Sequence, residues 1–364
     1  MSDLHHEKHL ESYIVQKLAT QGWLVGDSAG YDPDYALYPE DLEAWLKATQ
    51  GPKWDKLAAM NGDKTREVVM KRLEAALEKD GTMHVLRRGF SIAGCGHLDL
   101  SEAAPEDQRN ADVLSRYAAN RLRVVPQLKY HPGRELAIDL GFFLNGLPLA
   151  TVELKTDFTQ SIEHAKNQYR NDRLPVDPAS KRKHPLLTFK RGAVVHFAMS
   201  DSEIWMTTRL AGENTFFLPF NQGFDGHGGN PPRPDGEYPV AYFWERICRP
   251  DNFLRIFHSF VYVEKKNVVD LKGNWSVKET LIFPRYHQFD AVNSMIAVGF
   301  TRLCISRDRP VTALCASSTI ISGRCKCIRL AKENLFVPAP RPSSICSSPG
   351  ILSGTPVKCG SSIS

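Results

Sequence analysis

The sequence predicts an α/β fold in which a mixed central sheet is flanked by helices. Three observations carry that expectation. Apolar residues recur at helical spacing through much of the first 120 residues, the pattern turns strand-like from Leu122, and Asn145-Gly146 marks a tight turn between two apolar segments. At 364 residues the chain exceeds a usual single core of ~100–200 residues, so one large domain with additional material is expected.

Taken in order, the first helix spans 8–22, with Leu10, Ile14 and Leu18 on one stripe, Tyr13 and Val15 beside them, and a stop before Gly22. A second helix follows Pro39 in the acidic-to-apolar run PEDLEAWLKA. A third covers about 64–79, with Val68, Val69, Leu73, Ala76 and Leu77 on one side and Gly81 as the stop. Residues 83–93 are β-like, and 105–120 are helical again behind Pro105. Strands are expected at 122–130, 134–143 and 148–156, a helix at 162–171, and strands at 193–200 and 203–209 around Asp201-Ser202. The Gly-, Pro- and Asn-rich stretch 221–237 reads as a surface loop, and a helix at 250–262 closes the unit. Beyond it lie a charged, polar connector (263–280) and a helix at 286–300.

Hydrophobic and charged contents of 42% and 24% are those of a soluble protein. No apolar run approaches the ~20 residues that span a bilayer, and the N-terminus MSDLHHEKHLESY is polar, unlike a signal peptide. A cytoplasmic location is therefore expected. The net charge of +5 does not describe the body of the protein, because residues 301–364 hold nine Lys/Arg against two Asp/Glu. Residues 1–300 are left with 37 basic and 39 acidic side chains, so any contact with nucleic acid must use a local patch. Six of the eight cysteines also fall after residue 300, and the two before it suit a reducing compartment.

Chemistry concentrates in the strand pair around Asn145-Gly146. Asp139 interrupts an apolar strand, and Glu153 and Lys155 alternate with Val152 and Leu154 on the next. Charged residues inside buried strands are costly unless paired or metal-bound. Phosphodiester cleavage uses a divalent cation held by carboxylate oxygens, with a lysine to hold the attacking water, and Asp followed by Glu-x-Lys supplies that set. The spacing alone also fits a solvated strand face, since acid-x-Lys recurs at Glu264–Lys266 and Asp270–Lys272. Geometry separates the readings. A plain two-residue hairpin pairs positions summing to 291 and sets Asp139 against Val152. Sharing a face with Glu153 requires a sum of 292, hence a three-residue loop (145–147) or a β-bulge.

The stretches NRLRVVPQLKY, LAIDLGFFLNGLPLATVELK, RGAVVHFAMSDSEIWMTTRLAGENTFFLPFNQG and FPRYHQFDAV resemble, in order, the R (restriction) subunit of type I restriction endonucleases over roughly residues 8–297. The resemblance implies a restriction-endonuclease-like PD-(D/E)xK core with a helical insertion, and Mg²⁺-dependent cleavage of double-stranded DNA. Asp139 and Glu153 would then be the metal ligands and Lys155 the catalytic lysine. Glu11 matches an acidic position near such sites, with a solvated helix residue as the alternative. Gln168 would be a DNA-positioning residue, although the family's Tyr four residues later is Asp172 here and Tyr169 follows directly. The run KRKHPLLTFKR offers Lys181, Arg182, Lys183, Lys190 and Arg191 as further DNA-positioning residues, near Lys166, Arg170 and Arg173; a solvated basic loop is the alternative. Trp205 and Trp244 receive no role.

In that family the R subunit continues into an ATP-driven motor and works with methyltransferase and specificity subunits, which are the implied partners. Gln288 would correspond to a residue near the adenine, yet G-x-x-x-x-G-K-[ST] is absent throughout the sequence, so no ATP site is expected. The expected organisation is a nuclease domain at 1–262 (core about 122–210), a linker and start of a helicase-like domain at 263–300, and an unstructured, non-native tail at 301–364. A frameshift after about residue 297 accounts for that tail; a zinc site from Cys315, Cys325 and Cys327 competes but lacks paired C-x₂-C spacing. Two rival functions remain: a catalytically silent fragment, and a DNA- or partner-binding module without chemistry.

Overall fold

Leu10, Ile14 and Leu18, four residues apart, are at most 1% exposed and fasten helix α1 (Asp3–Thr20) to the core. The computed structural model describes residues 3–105, 109–156, 161–269 and 273–305. After α1 comes a two-residue strand, β1 (Leu24–Val25), too short to show any period in sequence. Helix α2 (Pro39–Asn61) begins on a proline with Glu40 and Asp41 in its first turn and kinks at Gln50, where Gly51-Pro52 interrupts it. Helix α3 (Thr65–Asp80) buries Val69, Met70, Leu73 and Leu77.

Residues 83–93 depart from the β-like expectation. Gly81 (φ +85°) and Gly89 (φ +64°) bracket a seven-residue helix, α4 (Thr82–Arg88), and only then does a hairpin form from β2 (Phe90–Ile92) and β3 (Gly96–Leu98). A Cβ at position 89 would lie 2.0 Å from the Leu98 carbonyl, so glycine alone permits this junction. Helix α5 (Ala111–Ala118) is shorter than expected, its start set by the Asn110 side chain accepting from the amides of Asp112 and Val113.

Four strands and a helix build the centre as anticipated: β4 (Leu122–Lys129), β5 (Ala137–Leu144), β6 (Leu147–Leu154), α6 (Ile162–Asn171) and β7 (Val195–Met199). With β8 (Ile204–Thr207) and β9 (Leu218–Pro219) they give a seven-stranded mixed sheet, ordered β1-β4-β5-β6-β7-β8-β9. Its pairs are antiparallel except β1 with β4 and β6 with β7, the latter joined across α6. Helix α7 (Pro250–Arg255) continues as a π-helical turn through Phe260. The expected connector is instead an antiparallel hairpin, β10 (Tyr262–Val269) with β11 (Trp275–Ile282), mostly exposed, which hides it from any burial pattern. Helix α8 (Tyr286–Ile305) follows, burying Tyr286 and Phe289 in the main core. Residues 301–305, expected to begin the unstructured tail, instead continue α8, and the remaining expectations for the tail, the zinc site from Cys315, Cys325 and Cys327 included, lie outside the described residues. Among the described residues no helix is long and apolar enough to cross a membrane.

One face of the sheet packs Phe142, Val152 and Phe197 against α1, Trp244 and α7; the other packs Phe143 and Ala198 with Tyr169 of α6. Helices α2 and α3 form a separate cluster around Trp45 and Leu73, reached from the sheet by Leu147. Asp41, fully buried, ties this cluster to β4 by accepting two bonds from Arg123 (2.6 and 2.8 Å) and one from Arg121 (2.7 Å).

The β5–β6 turn decides which side chains share a face. Asn145 (φ +50°) and Gly146 (φ +86°) form the two-residue turn, pairing Leu144 with Leu147 and Phe143 with Pro148. The register then shifts, and Phe142 pairs with Ala150, Gly141 with Thr151 and Leu140 with Val152. Leu149 is the extra residue of a β-bulge, so the pairs now sum to 292. The turn itself is held rigidly. Buried Asn145 donates to the Leu100 carbonyl and Asn120 Oδ1 (both 2.9 Å) and accepts from the Arg121 amide (2.7 Å). Asn145→Ala strands these partners and places alanine at positive φ, a loss of about 2–4 kcal/mol in urea unfolding; an unchanged midpoint would contradict this account of the turn.

Candidate active site

Three neighbouring strands bring a row of polar residues to one end of the sheet. In β4, Gln127 lies between the paired positions Pro126↔Leu140 and Leu128↔Ile138 but adopts φ +46° and leaves the ladder. Its side-chain amide donates to Glu11 Oε2 on α1 (2.5 Å) and approaches Asp139 Oδ1 at 3.4 Å. Asp139 Oδ2 accepts from the Leu154 amide at 2.7 Å, so the carboxylate replaces a ladder bond where β5 and β6 part. Continuing the bulged register places Glu153 across from Asp139.

Glu153 is fully buried. Its Oε1 accepts from Arg173 Nε at 2.5 Å, while Oε2 is enclosed and has no partner. Arg173, just past α6, also donates to the Ala137 carbonyl (2.7 Å). Burial first, and the charge of Asp139 second, push the Glu153 carboxyl from its ordinary 4.5 up to about 8, against the pull of Arg173 and Lys155. Burial also raises the Glu11 carboxyl, to which Asp139 adds. Lys155, hydrogen-bonded through its amide to the Met199 carbonyl (2.9 Å), sends Nζ to Glu7 Oε2 on α1 (3.2 Å).

This arrangement fits an oxygen-ligated divalent cation. Glu153 Oε2 is an enclosed acceptor with nothing to bind, Asp139 Oδ1 has only a long contact, and the Asp139 charge adds to burial in raising the Glu153 and Glu11 carboxyls. Sequence reasoning pointed to Asp139, Glu153, Lys155 and Glu11. It missed Gln127, whose backbone twist has no sequence signature, and Glu7. It also assigned Arg173 to a basic surface, whereas Arg173 is 6% exposed and spent on Glu153.

The remaining basic residues separate into two groups. Lys181, Arg182 and Lys183 are exposed, with Arg182 paired to Asp34. Lys190 pairs with Glu279 of β11 at 2.9 Å, and Arg191 is buried against Glu78 and the Tyr35 carbonyl. The five therefore do not make one exposed patch, and Arg191 has to be withdrawn from the surface set. Lys166 is likewise buried, its ammonium 3.4 Å over the Trp205 ring and bonded to Glu163. Gln168 stands in the last turns of α6 with Oε1 buried and unpartnered.

Against this geometry, the family model described as type I restriction enzyme R protein N terminus matches residues 6–215. The chain belongs to that family. The match takes in the whole row from Glu7 to Lys155, Gln168, Arg173 and the basic loop, and ends before α7, the β10–β11 hairpin and α8. No curated protein matches the chain.

The raised Glu153 carboxyl has a consequence for stability. An acid whose folded value lies above 4.5 holds its proton longer in the folded state, so its contribution is full below that pH and lost as pH rises towards 8. Glu153→Gln removes this dependence. Urea unfolding between pH 5 and 8 should show the wild type falling more steeply than the variant, by at most about 1.4 kcal/mol per pH unit, and parallel profiles would refute the assignment.

Proposed function

We propose that this type I restriction R-subunit N-terminal region is a Mg²⁺-dependent nuclease domain of the PD-(D/E)xK kind acting on double-stranded DNA. The observation that carries the reading is the bulge at Leu149, which sets Asp139 opposite Glu153 with Lys155 two residues on. Membership of the family supports it from an independent direction.

Asp139 and Glu153 are the residues that would hold the cation. Once bound, Mg²⁺ supplies positive charge to the scissile phosphate and lowers the pKa of water. The chain's own residues set the conditions for that chemistry. Arg173 fixes Glu153 through Oε1 and leaves Oε2 without a partner, and the Leu154 amide fixes Asp139 through Oδ2 and leaves Oδ1 with only the long Gln127 contact. Gln127 holds Glu11 beside Asp139, keeping a third carboxylate at hand. Lys155 would exchange Glu7 for a phosphate oxygen, another anionic partner, or for the attacking water. Gln168 and the exposed Lys181 and Lys183 are the groups that would meet the DNA backbone.

The family supports DNA and complex partners in general; in this reading they are double-stranded DNA and the methyltransferase and specificity subunits of a type I complex. In this reading no ATP binds the chain, and coupling to a motor is external to the site.

The test is cleavage of supercoiled plasmid by the chain with Mg²⁺, beside Asp139→Ala and Lys155→Ala. Each variant should lose at least about a hundredfold in rate, and calorimetry should show divalent-ion binding lost in Asp139→Ala. Background cleavage equal in all three proteins, with ion binding unchanged, would leave the row of carboxylates as a structural network in a silent or purely binding domain.

A further inference from the structure

A second cluster of ligating side chains lies apart from the carboxylate row. His131 follows β4, and Asp177 and His184 belong to the loop after α6. One ligating atom from each of the three lies within 4.8 Å of the others. The loop is folded back on itself before any ion is considered. The Asp177 amide donates to the Arg182 carbonyl and the His184 amide to the Pro175 carbonyl, both at 2.8 Å. Asp177 Oδ1 accepts from the amides of Ala179 and Ser180, also at 2.8 Å. Its other oxygen, Oδ2, turns to His131 Nε2 (3.8 Å) and Arg134 Nη1 (2.8 Å).

The two imidazoles are the informative members. His184 Nδ1 lies 2.7 Å from the Leu174 carbonyl, which can only accept, so Nδ1 carries the proton and Nε2 presents a lone pair. That Nε2 is enclosed and unpartnered on a residue only 3% exposed. His131 Nδ1 is also enclosed and unpartnered, and the rings meet edge to face at 5.2 Å. Leaving such atoms unsatisfied costs about 1–3 kcal/mol each. A carbonyl bonded to the far nitrogen of a histidine is the usual orienting contact behind a metal-ligating imidazole.

We propose that His131, Asp177 and His184 form a second metal site, for a zinc-class transition ion. Two imidazole nitrogens select borderline ions over Mg²⁺ or Ca²⁺, which take oxygen ligands, so this site is chemically distinct from Asp139 and Glu153. Zinc–nitrogen bonds of about 2.0–2.1 Å in tetrahedral geometry put ligand atoms roughly 3.3 Å apart. The triad therefore contracts on binding and leaves a fourth position for water. Arg134, half exposed, gives way without stranding a buried charge. The bound ion staples the end of β4 to the loop that begins at Arg173, the partner of Glu153, and displays Lys181, Arg182 and Lys183.

The test is titration of the full chain with Co²⁺ and Zn²⁺ after chelator treatment. His5, His6 and His9 are changed to Gln so that the N-terminal histidines do not compete. One equivalent of Co²⁺ should bind with visible d–d bands of a four-coordinate ion, and Zn²⁺ should raise Tm. His131→Gln should weaken binding at least about tenfold, while Asp139→Ala leaves the spectrum unchanged. No saturable binding, or binding undiminished by His131→Gln, would overturn the site. Should His131→Gln fail to fold, X-ray absorption on the zinc-loaded background protein decides: two coordinated imidazoles support the assignment, and any other number refutes it.

Discussion

One extra residue, Leu149 in β6, governs where the charged side chains of this sheet go. Side chains alternate strictly along a strand, so a register differing by one would turn Asp139 and Glu153 to opposite faces. The bulge sets the register, and the buried Asn145-Gly146 turn anchors it through Leu100, Asn120 and Arg121, three residues on the chain leading into β4. The helical segment between β1 and β4 is thus more than decoration on the sheet. Tyr38 of α2's approach closes over Gly146, and Asp41 grips Arg121 and Arg123 a few residues from the same turn. Stability is invested at one end of the strands, and the carboxylates stand at the other.

Much of this was legible in the sequence because the relevant signals are local. Leu10, Ile14 and Leu18 declare a helix by spacing, Asn-Gly declares a turn, and a lone Asp in an apolar strand declares a charge that needs a reason. The need for either a three-residue loop (145–147) or a bulge was also readable, as a condition that Asp139 and Glu153 impose on their hairpin. The bulge's position was not, since nothing distinguishes Leu149 from its apolar neighbours in a strand buried at every residue. Features set by distant contacts stayed hidden. Gln127's left-handed backbone, Arg173's capture by Glu153 and the burial of Lys166 and Arg191 all depend on partners tens of residues away. Runs of basic residues mislead for the same reason: KRKHPLLTFKR mixes exposed and buried side chains, because a loop that folds back on itself does not keep its members on one side.

Charge pairing sorts the ionisable residues into those that stabilise and those held in reserve. Asp41 spends both oxygens on arginines, and Asp177 spends one on backbone amides. Asp139 and Glu153 each commit one oxygen firmly to the scaffold, leaving Asp139 Oδ1 with only a long contact from Gln127 and Glu153 Oε2 without a partner. That division gives a side chain a fixed direction without consuming its ability to bind, which is what preorganised sites require. Membership of the type I restriction R family gives this pattern its context, and the same pattern of fixed ring and open nitrogen recurs at His184.

Strand β6 is buried along its full length and bonded to a neighbour on each side. Its amides can reach solvent only when the sheet itself comes apart, so they belong to the slowest-exchanging class in the molecule. Damage at the periphery has a different fate. A protease that nicks the exposed β10–β11 hairpin, or fraying that peels away the two-residue β9, leaves that central ladder closed. The side chains hung from β6 therefore keep their geometry through local wear and lose it only with the fold as a whole.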